Sequence, residues 1–290
     1  MYNGTDYEMF QINPIKEDIK LKEYNLWEQT PGDCYEIPTI AEYIPEEKKS
    51  DAAVVILPGG GYWGKAEHEG RGYSEFLNAA GICAFVVQYR TVSAGPHRFP
   101  LPLLDARRAV RTVRYNAEKY GIDKNKIAIM GSSAGGHLAA LTSTYYKPID
   151  FEGVDEIDKE DFIPNAQILC YPVISLLGKG IAHLGSGRNL LGDRHAELGE
   201  ELSPDLIAEP GTPQAFIWHT SADPGVPVFN SLNYASRLHA VGTDVELHLY
   251  PRGGHGLGLA NRSDDPDCRH VSLWTDSLLK WLAYIGYLTV

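Results

Sequence analysis

A chain of 290 residues with 43% hydrophobic and 22% charged residues has the makeup of a soluble globular protein, long enough for one substantial core. The formal net charge of −12, with no basic run, argues against a nucleic-acid or anionic-membrane surface. No apolar stretch approaches the roughly 20 residues of a membrane span, and the opening MYNGTDYEMF has neither the basic nor the apolar segment of a secretory leader. Cys34, Cys83, Cys170 and Cys268 lack paired or metal-type spacing, so the expected compartment is the reducing cytoplasm.

In chain order, residues 1–50 are polar, with two patches (19–22 and 34–43) suited to exposed strands, and 46–51 form a charged turn. Ala52 to Leu57 is an uninterrupted apolar run, the mark of a strand covered on both faces, and it ends in Pro58-Gly59-Gly60-Gly61-Tyr62-Trp63-Gly64. Lys65-Ala66-Glu67-His68-Glu69 lacks HExxH spacing and reads as a solvated helix start, leading into a helix over 68–80 that Gly81 closes. A strand over 82–89 and a Pro/Gly-bearing loop precede a long helix from about Leu103 to Tyr120. Its inward stripe is Leu104, Ala106, Val110, Val113 and Ala117, with Arg107, Arg108, Arg111 and Arg114 on the outer face. Strands follow at 127–130, 166–171, 215–219 and 245–250, and helices at 228–241 and 271–284.

Alternating apolar strands and helices predict a mostly parallel sheet with helices on both faces and antiparallel N-terminal edge strands. The expectation is one domain over 1–290, with 1–50 as edge strands and a Gly/Pro-rich insertion over 173–213 near the active site. No G-x-G-x-x-G and no P-loop occurs, so nucleotide binding is unsupported, and no cofactor or metal is called for.

The chemistry centres on Gly131-Ser132-Ser133-Ala134-Gly135. A buried strand passing straight into a helix through G-x-S-x-G is a nucleophile elbow, and only Ser133 has glycines on both sides in that register. In an open parallel sheet, functional groups collect at the carboxyl ends of strands. Asp223 follows the 215–219 strand and His255 follows the 245–250 strand, giving the order Ser, Asp, His. His137, His219 and His248 are weaker bases by position, and Asp193, Asp205 and Asp244 are weaker carboxylates. Gly60 and Gly61 can bring their amides close to a reacting carbonyl, and Ala134 supplies another N–H directly after the serine.

Taken together, PGGGY at 58–62, Tyr89-Arg90, GSSAGGHLAA at 131–140, Tyr171-Pro172-Val173, HTSADPGVPV at 219–228 and YPRGGHGLGLA at 250–260 resemble the prokaryotic α/β-hydrolase esterases, especially their acetylesterase and acetylxylan esterase-like branch. The resemblance runs from about Asp51 to the C-terminus. It implies the α/β-hydrolase fold with a small cap or none, Ser133 as nucleophile, His255 as general base, Asp223 as its orienting carboxylate, and Gly60, Gly61 and Ala134 as oxyanion donors. Pro58 stands where hormone-sensitive-lipase-like relatives carry histidine, and the N-terminus lacks their helical cap. The implied substrate is a small ester, with an acetylated xylo-oligosaccharide as candidate, and Tyr62 and Trp63 as walls of a short acyl pocket. A peptidase or amide hydrolase on the same triad, and a non-catalytic binding protein of the same fold, are the alternatives.

Overall fold

The computed structural model describes residues 22–32, 35–151, 155–178, 180–261 and 264–289. Cys34 and most of the 19–22 patch lie outside them. Strands β1 (Lys22–Asn25), β2 (Thr39–Tyr43), β3 (Ala53–Leu57), β4 (Cys83–Gln88), β5 (Ile127–Ser132), β6 (Ala166–Cys170), β7 (Gln214–Thr220) and β8 (Val245–Tyr250) make one eight-stranded sheet in the order β1-β2-β4-β3-β5-β6-β7-β8. β1 pairs with β2 and β2 with β4 antiparallel, and every other pairing is parallel. The fold class and antiparallel edge expected from the sequence are therefore present.

β3, and β5 through Met130, are apolar at every position because two cores claim alternate residues. Val55 and Leu57 of β3 and Ile127 and Ile129 of β5 enter one core, while Val54, Ile56, Ala128 and Met130 enter the other. On the first face lie helices that include α2 (Leu101–Tyr115) and α4 (Ser133–Thr144), contributing Leu103, Val110, Leu138 and Leu141. α1 (Glu67–Ala79) covers the second face with Tyr73 and Leu77. α3 (Ala117–Tyr120) continues from α2 after a break. The 173–213 stretch carries α5 (Leu184–Leu191), α6 (His195–Leu198) and α7 (Pro204–Ile207). α8 (Phe229–Ala240) joins the first face; α9 (Pro266–Val271) and α10 (Leu273–Tyr284) join the second, with Trp274 stacked on Trp218 at 5.0 Å.

Two helix expectations need correction. The helix expected over 103–120 divides at Asn116, whose side-chain amide donates to the Thr112 carbonyl at 2.8 Å and competes with the regular ladder there. The arginines are not a solvated face: Arg107, Arg108 and Arg114 are buried, with residues 145–151 and 155–165 lying over them. Arg107 donates to the Tyr145 and Lys147 carbonyls, Arg108 forks onto Asp155 at 2.6 and 2.7 Å, and Arg114 donates to the carbonyls of Asp161 and Ile163. Burial, with Arg111 nearby, pulls the Arg107 guanidinium down to about 10. An arginine stem packs well on apolar surface while its fork satisfies backbone carbonyls, so helical periodicity alone misreads such a face.

A buried ion pair fixes the end of β4. Arg90 donates through Nε and Nη2 to Asp105 of α2 at 2.9 and 2.7 Å, with neither side chain exposed. Immediately beyond it, the amides of Val92 and Ser93 donate to the Tyr62 and Trp63 carbonyls, so the pair anchors the segment that holds the glycine loop after β3. Asp105→Ala should cost roughly 3–5 kcal/mol, because the buried Arg90 guanidinium loses the carboxylate that accepts from both its Nε and Nη2. Urea unfolding of the two proteins measures the difference.

Candidate active site

The strand order turns at β3. The chain leaves it for β4 on one side, and β5 pairs on the other, so the carboxyl ends of β3 and β5 flank the switch point where open α/β sheets place their sites. The glycine loop leaves β3 there and Ser133 leaves β5 beside it. Ser133 has φ of 51°, in the left-handed region that a non-glycine residue occupies at a cost. The flanking glycines are required by approach distance. A Cβ on Gly131 would lie 2.2 Å from the Gly135 carbonyl oxygen, and one on Gly135 would lie 2.1 Å from that of Leu57. The elbow and the end of β3 therefore touch backbone to backbone.

Ser133, His255 and Asp223 are brought together. Ser133 Oγ lies 2.8 Å from His255 Nε2, and His255 Nδ1 lies 2.8 Å from Asp223 Oδ2. Asp223 Oδ1 accepts from the amides of Gly225 and Val226 at 2.7 and 2.9 Å, and its Oδ2 also lies 3.3 Å from Nε2 of the buried His219. Burial opposes the charge on Asp223, but bonds from His219, His255 and Val226 outweigh it and hold the carboxyl well below the usual carboxylate range. The chain of hydrogen bonds sets a direction for proton movement: a hydroxyl that donates at one end, an imidazole between, and an accepting carboxylate behind it.

The amides of Gly60, Gly61 and Ala134 make no internal hydrogen bond among the described residues, which leaves them free for a ligand. Their surroundings are held on every side. Tyr89 donates to the Pro58 carbonyl at 2.6 Å, and Asn189 of α5 donates to that of Gly61 at 2.8 Å. Tyr62 lies 2.7 Å through its hydroxyl from His137 Nδ1, whose Nε2 lies 2.8 Å from the Leu202 carbonyl oxygen.

The two aromatic residues of the loop part ways. Tyr62 is 1% exposed and its hydroxyl is engaged by His137, so it offers a substrate little surface; it serves the loop's own packing. Trp63 is 63% exposed beside the loop. Of the competing histidines, His248 pairs with Glu246 on the edge strand, and His137 and His219 are buried with both ring nitrogens engaged. Asp205 accepts from Ser175.

Sequence reasoning did not find the support given by Asn189, or by His219 to Asp223. It also read Glu69 as solvated, whereas Glu69 is buried and accepts from the Gly59 amide at 2.6 Å. A signal existed in part: Glu69 sits one helical turn before Tyr73 on the face that packs on the sheet. Among the described residues no group of His, Cys, Asp or Glu could hold a metal ion, and no helix is long and apolar enough to cross a membrane.

A mostly parallel eight-stranded sheet with a strained serine at the switch point defines the α/β-hydrolase fold. The chain belongs to the BD-FAE family, whose profile matches residues 41–238. It is 36% identical over 272 residues to endo-1,4-beta-xylanase B of Butyrivibrio fibrisolvens, covering 90% of this chain and 41% of that protein. With the acetylxylan esterase of Xylanibacter ruminicola it shares 35% identity over 223 residues, covering 74% and 43%. The chain thus spans about two fifths of the length of these relatives. The crystal structure of an acetyl ester-xyloside bifunctional hydrolase from Caldicellulosiruptor lactoaceticus superimposes with a TM-score of 0.83 at 41% identity, covering 92% of this chain and 97% of that one.

Burial draws the His137 imidazole down to about 4, so it stays neutral where an unfolded histidine, near 6.5, would protonate. Between about pH 6.5 and 4 the unfolded chain binds a proton that the folded chain does not. Stability from this group is therefore full above 6.5 and falls with falling pH, by roughly 3 kcal/mol across the window. His137→Asn should flatten that part of the profile, as read from urea midpoints at pH 7 and 4.5.

Proposed function

We propose that the chain is a serine esterase acting on short-chain, chiefly acetyl, carboxylic esters, with acetylated xylo-oligosaccharides as its substrates. The observation that carries this reading is the continuous hydrogen-bonded chain from Ser133 through His255 to Asp223, beside the Gly60, Gly61 and Ala134 amides, which are unpaired among the described residues. The acyl and sugar specificity is supported by the relatives named for xylan-derived acetyl esters.

In this mechanism His255 Nε2 takes the Ser133 proton as Oγ attacks the ester carbonyl, and the amides of Gly60, Gly61 and Ala134 receive the oxyanion. His255 passes the proton to the departing alcohol, leaving an acetyl-Ser133. A water deprotonated by the same imidazole then releases acetic acid and restores the serine. Asp223 holds the imidazole's tautomer and stabilises the imidazolium. The exposed Trp63 ring offers an apolar platform on which the sugar bearing the acetyl group can stack. We place residues 1–290 in one domain, and the buried thiols of Cys83 and Cys170, free of disulfide bonds, support a cytoplasmic setting.

Ser133→Ala should lower kcat on nitrophenyl acetate by a factor on the order of 10⁴ to 10⁶ with the fold intact by circular dichroism; full activity in that variant would remove the assignment. Across nitrophenyl esters, kcat/KM should fall from acetyl through butyryl to octanoyl, and dipeptide amides should be poor substrates. A preference for octanoyl, or for the amides, would contradict the acetyl-ester reading. Trp63→Ala should raise KM for acetylated xylo-oligosaccharides by about tenfold and leave KM for nitrophenyl acetate nearly unchanged, as steady-state kinetics on both substrates would show.

A further inference from the structure

Below the site lies a carboxylate that the proposed chemistry leaves without a task. Glu69 is 2% exposed, and among the described residues no lysine, arginine or histidine pairs with it. Burying an unpaired charge is costly, so its surroundings should show what the charge does. Both of its oxygens accept hydrogen bonds, as a carboxylate does: Oε2 from the Gly59 amide at 2.6 Å, and Oε1 from the Tyr171 hydroxyl at 2.7 Å.

Tyr171 extends the connection. Its hydroxyl oxygen accepts from the Gly258 amide at 3.0 Å, in the loop that carries His255, and lies 3.1 Å from the Tyr73 hydroxyl. Tyr73 in turn lies 2.8 Å from Ser132 Oγ, the residue before the elbow serine. Glu69 is thus the common end of bonds reaching the glycine loop, the histidine loop and the elbow. It is also close to the reacting serine. A Cβ on Gly59 would lie 2.7 Å from Glu69 Oε2 and 3.1 Å from Ser133 Cβ, so the two atoms flank a single point. The Tyr171 ring meets the His255 imidazole edge-on at 5.2 Å between centroids, which places the tyrosine between the carboxylate and the base.

We propose that Glu69 is a positioning residue for ester hydrolysis: its buried negative charge locks the three active-site segments in register and stabilises the His255 imidazolium that forms as Ser133 attacks. The inference rests on the Ser133–His255 reading of the site. The groups facing Glu69 are Tyr73 of its own helix, Tyr89 beyond β4, and Cys170 and Tyr171 at the end of β6. Burial, together with the charge of Glu69, pushes these hydroxyls and the thiol up, Cys170 to about 12, so none of them ionises in the working range. His255 is faced by Ser133, Asp223 and the Tyr171 ring, and senses His183 of the insertion, which burial keeps toward its neutral form. His68 meets the same loop at the Gly256 carbonyl, 3.1 Å away. Asp223, bonded to the imidazole, and Glu69, behind the Tyr171 ring, are thus the two carboxylates among these groups.

The test compares kcat/KM against pH on nitrophenyl acetate for the wild type, Glu69→Gln, Glu69→Ala and Ser133→Ala, with thermal melting to follow folding. Gln can still accept from Gly59 and donate to the Tyr171 oxygen, so it keeps the frame while removing the charge. Its acid limb should move to lower pH by about half a unit or more, because the imidazolium loses a stabilising anion, with KM within about twofold. Ala leaves the Gly59 amide and the Tyr171 hydroxyl without their acceptor, and kcat should drop on the order of 10²-fold with KM nearly unchanged. Should Ala fail to fold, the Gln profile decides by itself. A Gln acid limb that overlays the wild type overturns the proposal, as does wild-type kcat in a folded Ala variant. An active Ser133→Ala removes the underlying reading as well; an inactive one beside an unchanged Gln profile overturns the role of Glu69 alone.

Discussion

The structure depends on one close approach. The elbow glycines bring the Gly135 backbone against the carbonyl of Leu57, at a separation that no side chain could share. That contact sets the distance between the end of β3, where the glycine loop begins, and Ser133 at the end of β5. Register along the sheet follows from the same place: Leu57 pairs with Gly131, and Ser132 with Cys170. Once those strand ends are aligned, β7 and β8 can present Asp223 and His255 from loops whose roots are already fixed by parallel pairing. The strained φ at Ser133 is tolerated because the strand before it and the helix after it are buried at every position.

Around this contact the active-site loops are held by side chains arriving from far along the sequence. Arg90 and Asp105 tie β4 to α2, and the next amides hold Tyr62 and Trp63. His137 reaches from the elbow helix to Tyr62, Asn189 reaches from the insertion to Gly61, and Glu69 reaches from α1 to Gly59. A loop with so many glycines would otherwise lose its shape to conformational entropy. Here nearly every backbone group not directed at the site has a partner, so the amides that remain free are free by arrangement.

Much of this was legible in the residues. Strands buried on both faces announce themselves as apolar runs, and GSSAG and Asp223 each stand just past such a run, while His255 follows the mixed edge strand β8. The parts that stayed hidden share a physical cause: their role depends on what a later segment lays over them. Arg107, Arg108 and Arg114 have the spacing of a solvated face, and only the docking of distant segments, residues 145–151 and 155–165 with Leu26 and Trp27, buries them. Glu69 lies in a charged cluster that looks solvated until Tyr171, a hundred residues on, meets it. Tyr62 and Trp63 are neighbours in sequence, yet one backbone turn at φ of 59° sends the first into the core and leaves the second at the surface. The break at Asn116 is local, but an asparagine late in a helix gives no sign of whether its amide will turn back on the ladder.

The seating of the insertion has a consequence of its own. At one end Asn230 receives the amides of Ile174 and Ser175 and donates to the Ile181 carbonyl; at the other, Asn189 grips the Gly61 carbonyl. The stretch between them runs from the element that follows Asp223 to the loop beside Ser133, fastened to both like a tie-beam. A substitution that loosened this stretch would therefore be felt at both ends at once, at the helix that follows Asp223 and at the Gly61 carbonyl.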